Sequence, residues 1–129
     1  MTEPVSKAAA RVLVADDEEL VRRLVGRVAS EYFESVTLVP GGREALAALA
    51  ETEFDLVITD IRMPIVDGLA VVQWIRGQQK RVPIIAITGF ADPDTETAVA
   101  ALGAELLSKP FGAGELRDAI ERALRQSTL

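Results

Sequence analysis

The chain has 129 residues, of which 49% are apolar, so it is long enough for one domain with an ordinary hydrophobic core. It contains no cysteine, which excludes disulfides and thiolate metal sites and favours a reducing compartment, and we therefore expect a cytoplasmic protein. The formal net charge of -6 argues against direct nucleic acid binding, and the absence of histidine excludes imidazole as a base, metal ligand or phosphate carrier.

The first part of the chain predicts a tail, a strand, an acidic loop and a helix. No long apolar stretch accompanies residues 1–10, so we expect a flexible tail rather than a signal peptide or a membrane span. The apolar run 12–15 ends in four acidic residues, 16–19, and apolar residues then recur at helical spacing. These are Leu20, Val21, Leu24, Val25 and Val28.

The second and third units repeat this order. The second strand, 36–39, is followed by turn residues 40–42, and the third strand, 55–60, ends in Asp60. Asp67-Gly68 opens the helix after the third strand. The apolar stripes of the two helices consist of Ala45, Leu46 and Leu49 and of Leu69, Val72 and Ile75, with Trp74 beside the latter.

Two further units complete the pattern. The fourth strand, 83–88, is a continuous apolar run, which indicates cover on both faces, and Asp92-Pro93-Asp94 caps an alanine-rich helix. A short fifth strand, 105–108, leads into residues 109–111. The final helix is lined by Leu116, Ala119, Ile120, Ala123 and Leu124.

This alternation predicts an α/β protein with a parallel sheet, right-handed crossovers and helices on both faces. In such sheets, ligands bind beyond the carboxyl ends of the strands. The sequence places polar residues at four of those ends. They are Asp16 and Asp17 after the first strand, Asp60 at the third, Thr88 at the fourth and Lys109 after the fifth.

The chemistry of these residues indicates a metal beside a phosphoryl group. Three converging carboxylates repel one another unless they share a cation. Magnesium suits such a site because it needs only one or two carboxylates and takes further ligands from water and phosphate. Lys109 and Thr88 add an ammonium and a hydroxyl, which can donate hydrogen bonds to phosphoryl oxygens. Asp60 is the carboxylate placed to attack phosphorus.

Taken together and in this order, these motifs resemble the response-regulator receiver domain of two-component signalling (CheY-like), from about Arg11 to about Arg125. The resemblance implies a receiver domain over residues 11–126, between the N-terminal tail and a C-terminal tail at 127–129. It also implies a doubly wound, five-stranded sheet in the order 2-1-3-4-5 with five helices, an order for which this family is itself a standard example.

The resemblance assigns roles to the metal ligands. Asp16 and Asp17 are implied to hold Mg²⁺, with Asp17 the closer ligand. Asp60 is implied to accept the phosphoryl group and to contact the metal. The main-chain carbonyl of Arg62 is implied to be a further ligand.

Other residues match the surroundings of the acceptor in this family. Lys109 corresponds to the lysine that pairs with the acceptor and its phosphate, and Thr88 to the hydroxyl residue that swings to bind it. Met63-Pro64 and Asp67-Gly68 match the loop after the acceptor. Lys109-Pro110 matches a peptide bond that is usually cis.

One departure concerns the signalling switch. Many receivers have an aromatic residue three positions before the lysine, and this chain has Leu106 there. Gly89 also replaces the small residue with a β-carbon that is common after the threonine, and Phe90 follows it. We hypothesise that Phe90, or a shift of the loop at Gly89, carries the signal.

The function expected from the resemblance is a phosphorylation-controlled signalling module rather than an enzyme. A sensor histidine kinase or a histidine phosphotransfer protein donates the phosphoryl group to Asp60, and water later removes it. The chain promotes only its own phosphorylation and dephosphorylation. A downstream protein is expected on the face formed by helix 4, strand 5 and helix 5, and self-association into a homodimer is left open, as is the choice between a stand-alone receiver and a module of a larger protein.

Three alternatives remain from the residues themselves. A flavodoxin-like flavin or nucleotide binder shares the fold, but the acidic residues 16–19 oppose a phosphate-cradling loop. A magnesium-dependent phosphatase with an aspartate nucleophile usually has a second acid two positions later, where this chain has Arg62. A receiver-like module that only mediates protein contacts is the third.

Each residue also has a purely structural interpretation when taken alone. Asp60 could cap a turn, and Thr88 and Lys109 could be an ordinary strand end and a solvated charge. Glu18 and Glu19 are interpreted as acids that favour the N-terminus of the first helix.

Overall fold

The computed structural model describes residues 10–90 and 92–127, so the predicted tails fall almost entirely outside the described residues. The strands are β1 (Arg11–Ala15), β2 (Ser35–Val39), β3 (Leu56–Asp60), β4 (Ile84–Thr88) and β5 (Glu105–Ser108). The helices are α1 (Glu19–Ala29), α2 (Gly42–Glu51), α3 (Gly68–Gly77), α4 (Pro93–Ala101) and α5 (Ala113–Ser127). Strands and helices alternate along the whole described chain, as the sequence predicts.

The five strands form one parallel sheet in the order β2-β1-β3-β4-β5, which confirms the predicted α/β fold. The central strands β3 and β4 are buried at every position, since helices cover both faces of the sheet. In register, Asp60 lies opposite Ile87 and Thr88 lies opposite Ser108. The carboxyl ends of β3, β4 and β5 therefore meet at one edge.

Successive strand residues point to opposite faces of the sheet and build two separate apolar layers. Val14, Ile58 and Ile87 belong to the layer that includes residues of α1 and α5. Leu13 and Val57 belong to the layer that includes residues of α2 and α3. The two layers cover opposite faces of the sheet.

The helix starts agree with the capping signals in the sequence. The Asp67 carboxylate accepts a hydrogen bond from the Ala70 N–H at 2.9 Å, and the Asp92 carboxylate accepts one from the Thr95 N–H at 2.8 Å. Each satisfies an amide that the first turn leaves free. Among the described residues, no helix has the length and apolar content that a membrane crossing needs.

One residue of the predicted α1 stripe lies elsewhere. Leu20 is 81% exposed, whereas Val25 and Val28 are buried and Val21 and Leu24 are half-buried. Leu20 precedes Val21 by one residue and so lies about 100° around the helix from it, outside the face that meets the sheet.

Candidate functional site

Asp60 is the last residue of β3 and is only 3% exposed. The chain returns tightly against it, because the Gly68 N–H at the start of α3 donates to the Ile61 carbonyl at 2.7 Å. A β-carbon on Gly68 would lie 1.8 Å from the Asp60 carbonyl oxygen, so no larger residue fits here without movement. The fold thus fixes the backbone of Asp60 from the strand and from the following helix.

Three carboxylates meet at this edge, as the sequence predicts. Oxygen atoms of Asp16, Asp17 and Asp60 lie within 4.8 Å of one another. Asp16 is fully buried, whereas Asp17 is exposed. One Asp16 oxygen accepts the Glu18 N–H at 2.9 Å, but the other, Oδ2, is buried and has no hydrogen-bond partner among the described residues. A buried carboxylate oxygen with no donor is costly, and a bound cation is the usual remedy.

Of the ammonium groups in residues 10–90 and 92–127, that of Lys109 lies against these carboxylates. Its Nζ lies 3.3 Å from Asp60 Oδ2 and 3.8 Å from Asp16 Oδ2, so the predicted pairing of Lys109 with Asp60 is present. The same atom lies 2.5 Å from Glu18 Oε1. Sequence reasoning assigned Glu18 only to the helix N-terminus and missed this contact, which joins residues 91 positions apart.

The pKa shifts indicate that the site has too little positive charge to balance its buried carboxylates. Burial is the main cause that raises the pKa of Asp16 to about 6; the hydrogen bond from the Glu18 N–H opposes this rise, and the nearby charge of Asp60 adds to it. Burial also raises the pKa of Asp60, although Lys109 and the Arg62 N–H oppose this. Burial lowers the pKa of Lys109, but its carboxylate partners outweigh this and raise it overall. One ammonium does not compensate both buried acids, and a divalent cation fits the remaining charge.

Thr88 is the buried last residue of β4, at the same edge of the sheet as Asp60. Its hydroxyl donates to the Phe90 carbonyl at 3.0 Å and accepts the Phe90 N–H at 3.1 Å. Its main-chain carbonyl accepts the Lys109 N–H at 2.7 Å, which ties the β5 end to the β4 end. Thr88 is therefore linked to the backbone of Phe90 on one side and to Lys109 on the other.

Arg62 and Phe90 connect the loops that follow β3 and β4. The Arg62 guanidinium lies 5.3 Å from the centre of the Phe90 ring and 3.9 Å from the Asp92 carboxylate. Phe90 is 64% exposed, and the Arg62 side chain is exposed as well. No sequence pattern indicates this contact, since the two residues lie in separate loops.

Two further expectations concern β5. The Lys109–Pro110 peptide bond is cis. Leu106, which stands where many receivers have an aromatic residue, is half-buried and packs against a cluster of Ile61, Ala86 and Val99. An aliphatic side chain therefore fills this position.

Comparisons with known proteins bear on the sequence and on the fold as a whole. The sequence model of one family, described as the response regulator receiver domain, matches residues 12–121. Regulatory protein AtoC of Escherichia coli K12 is 35% identical over 121 residues, which are 92% of this chain and 26% of AtoC. The DNA-binding transcriptional regulator NtrC of Salmonella typhimurium is 35% identical over 114 residues, 88% of this chain and 24% of NtrC. The chain thus spans about a quarter of these two relatives.

Solved structures show the same likeness. The Vibrio cholerae chemotaxis protein CheY4 superimposes with a TM-score of 0.82 at 33% identity, covering 91% of this chain and 100% of that one. The receiver domain of the Francisella response regulator 1452 gives a TM-score of 0.80 at 25% identity, covering 92% of this chain and 98% of that one.

Proposed function

Because this chain belongs to the response regulator receiver domain family of two-component signalling, we propose that Asp60 accepts a phosphoryl group in a magnesium-dependent transfer. One observation carries the proposal: the Asp60 carboxylate is buried at the sheet edge, 3.3 Å from the Lys109 ammonium and beside Asp16 and Asp17. A phosphohistidine on a sensor kinase or phosphotransfer protein is the proposed donor. Asp60 attacks its phosphorus, the bond from phosphorus to the imidazole nitrogen breaks, and a new bond to a carboxylate oxygen forms.

The residues present fit a magnesium ion. Asp16, Asp17 and Asp60 offer oxygens within 4.8 Å of one another, and no donor in the described part of the chain reaches Asp16 Oδ2. With the main-chain carbonyl of Arg62, they are the proposed ligands. Magnesium, when bound, neutralises charge on the carboxylates and on the incoming phosphoryl oxygens.

Lys109 and Thr88 are proposed to bind the transferred group. The Lys109 ammonium already contacts Asp60, so a phosphoryl oxygen attached there lies within its reach. The Thr88 hydroxyl now donates to the Phe90 carbonyl and would exchange that acceptor for a phosphoryl oxygen. The added negative charge therefore acts on the β4–α4 loop through a single hydroxyl.

Phe90 is the proposed output of this exchange. Its main chain holds the Thr88 hydroxyl through two hydrogen bonds, and its ring carries the Arg62 guanidinium. Leu106 has no ring to swing inward, so we propose that Phe90 and the loop at Gly89 take over the role of the usual aromatic switch. A movement of Phe90 would change the exposed surface next to α4.

The wider setting is also proposed. The receiver domain extends over residues 11–126, acts in the cytoplasm, and passes its signal to a protein that contacts α4, β5 and α5. Water then attacks the phosphorus on Asp60, the bond from phosphorus to the carboxylate oxygen breaks and inorganic phosphate leaves, so the chain promotes only its own phosphorylation and dephosphorylation.

The test combines a small phosphodonor, Mg²⁺ and mass spectrometry of the intact chain. We expect one phosphoryl adduct, abolished by Asp60→Asn and by removal of Mg²⁺. Asp55→Asn is the matched control, because Asp55 precedes the same strand at the opposite edge, where it accepts the Arg11 N–H. Turnover of the donor without an adduct would support a phosphatase instead, and no reaction of the wild-type chain would leave a protein-contact module.

A further inference from the structure

We propose that Glu18 is a positioning residue that restrains the Lys109 ammonium in the resting protein and so slows phosphorylation. This inference rests on the proposed function of Asp60. It concerns the acid that the sequence assigned only to the start of α1. Glu18 touches neither the reacting carboxylate nor the phosphoryl donor in this scheme, and acts through Lys109.

The Lys109 ammonium is shared among three carboxylates. Lys109 Nζ lies 2.5 Å from Glu18 Oε1, 3.3 Å from Asp60 Oδ2 and 3.8 Å from Asp16 Oδ2. The shortest of these contacts goes to Glu18, not to the acceptor. A charged donor aligned with one carboxylate contributes less to its other partners, so Glu18 competes with Asp60 for Lys109.

Glu18 does not cap the helix at whose N-terminus it stands. It is the N-cap residue of α1, with extended backbone angles, yet its side chain accepts no hydrogen bond from the helix amides. Aspartate, with one methylene fewer, is a preferred N-cap, whereas the longer glutamate side chain reaches out to Lys109 instead. The length of the side chain decides which of the two contacts forms.

The surroundings of Asp60 carry an excess of negative charge. Three carboxylates, those of Asp16, Asp60 and Glu18, lie within 3.8 Å of the Lys109 ammonium, and Asp17 adds a fourth negative charge beside Asp16 and Asp60. Removing the charge of Glu18 reduces the repulsion that an anionic phosphodonor meets, but it also lets Lys109 move toward the metal ligands. Magnesium affinity and phosphorylation rate should therefore change in opposite directions, which a simple loss of folding would not produce.

The experiment uses the full chain, acetyl phosphate as donor, and Mg²⁺ titrated by calorimetry. For Glu18→Gln we expect Mg²⁺ binding weaker by about threefold and phosphorylation at saturating Mg²⁺ faster by about threefold, the scale of one partly exposed ion pair. Glu19→Gln is the matched control, because Glu19 is the neighbouring acid and pairs with Arg23 at 2.9 Å instead of Lys109. It should match the wild-type protein in both measurements.

Glu18→Asp separates contact from charge. It keeps the negative charge but shortens the side chain, and we expect it to cap α1 and to release Lys109. Phosphorylation should then be faster than in the wild-type protein but slower than in Glu18→Gln, because the remaining charge still repels an anionic phosphodonor. A wild-type rate for Glu18→Asp, or equal rates for Glu18→Gln and Glu19→Gln, would overturn the positioning role while leaving Asp60 as the acceptor. No adduct on the wild-type chain would instead contradict the proposed function itself.

Discussion

The pKa of Asp16 predicts how much its buried carboxylate lowers the free energy of unfolding when no metal is bound. Its pKa rises from 3.8 to about 6 in the folded protein, mainly because the carboxylate is buried. A carboxyl group with a raised folded pKa stabilises the fold while it is protonated. This contribution is complete below pH 3.8 and is lost as the pH rises through about 6.

The size of the effect follows from that shift. Each pKa unit corresponds to about 1.4 kcal/mol, so two units amount to about 3 kcal/mol at pH 7.5. Asp16→Asn removes the charge and keeps an oxygen that can accept the Glu18 N–H. We therefore expect this variant to raise the free energy of unfolding by about 2 to 3 kcal/mol at pH 7.5 in the absence of divalent cations.

Urea unfolding with a chelator present measures this difference, and Asp118→Asn on the exposed face of α5 is the matched control. The control should change stability by less than about 0.5 kcal/mol. The gain from Asp16→Asn should vanish near pH 4 and shrink in excess Mg²⁺, because only the wild-type site keeps its full affinity for the ion. A destabilised Asp16→Asn protein, or a gain independent of pH, would refute the reasoning.

Three further predictions test the surroundings of the site, two of them with a control substitution. Gly68→Ala should lower the free energy of unfolding by more than about 2 kcal/mol, because its β-carbon would lie 1.8 Å from the Asp60 carbonyl oxygen. Gly77→Ala at the other end of α3 is the control and should be tolerated, because its β-carbon would meet nothing within 4 Å. Comparable unfolding curves for the two variants would contradict this prediction. Ile65 is 86% exposed with a φ of 71°, so Ile65→Asn should stabilise the chain by about 1 kcal/mol and Ile65→Val should not, as thermal or urea unfolding would show. Phe90→Ala should abolish the change in partner affinity on phosphorylation, measured by titration of the partner with and without phosphodonor; an unchanged response would remove Phe90 from the switch.

Much of the fold was predictable because local patterns carry it. Continuous apolar runs specify buried parallel strands, helical spacing specifies the faces that cover them, and Asp67 and Asp92 mark helix starts by their capping chemistry. The parallel arrangement then brings the carboxyl ends of the strands to one edge. For that reason the meeting of Asp16, Asp60 and Lys109 followed from positions in the sequence.

By itself the sequence determined the order of elements, the class of fold and the set of charged groups at the site. Tertiary structure alone decided three further contacts: Lys109 with Glu18, the Thr88 hydroxyl with Phe90, and the close return of Gly68. The physical reason is range. The spacing of apolar residues and the capping of helices depend on neighbours within a few residues. The contacts of an ammonium among several carboxylates depend instead on distances that only the assembled sheet and its loops determine.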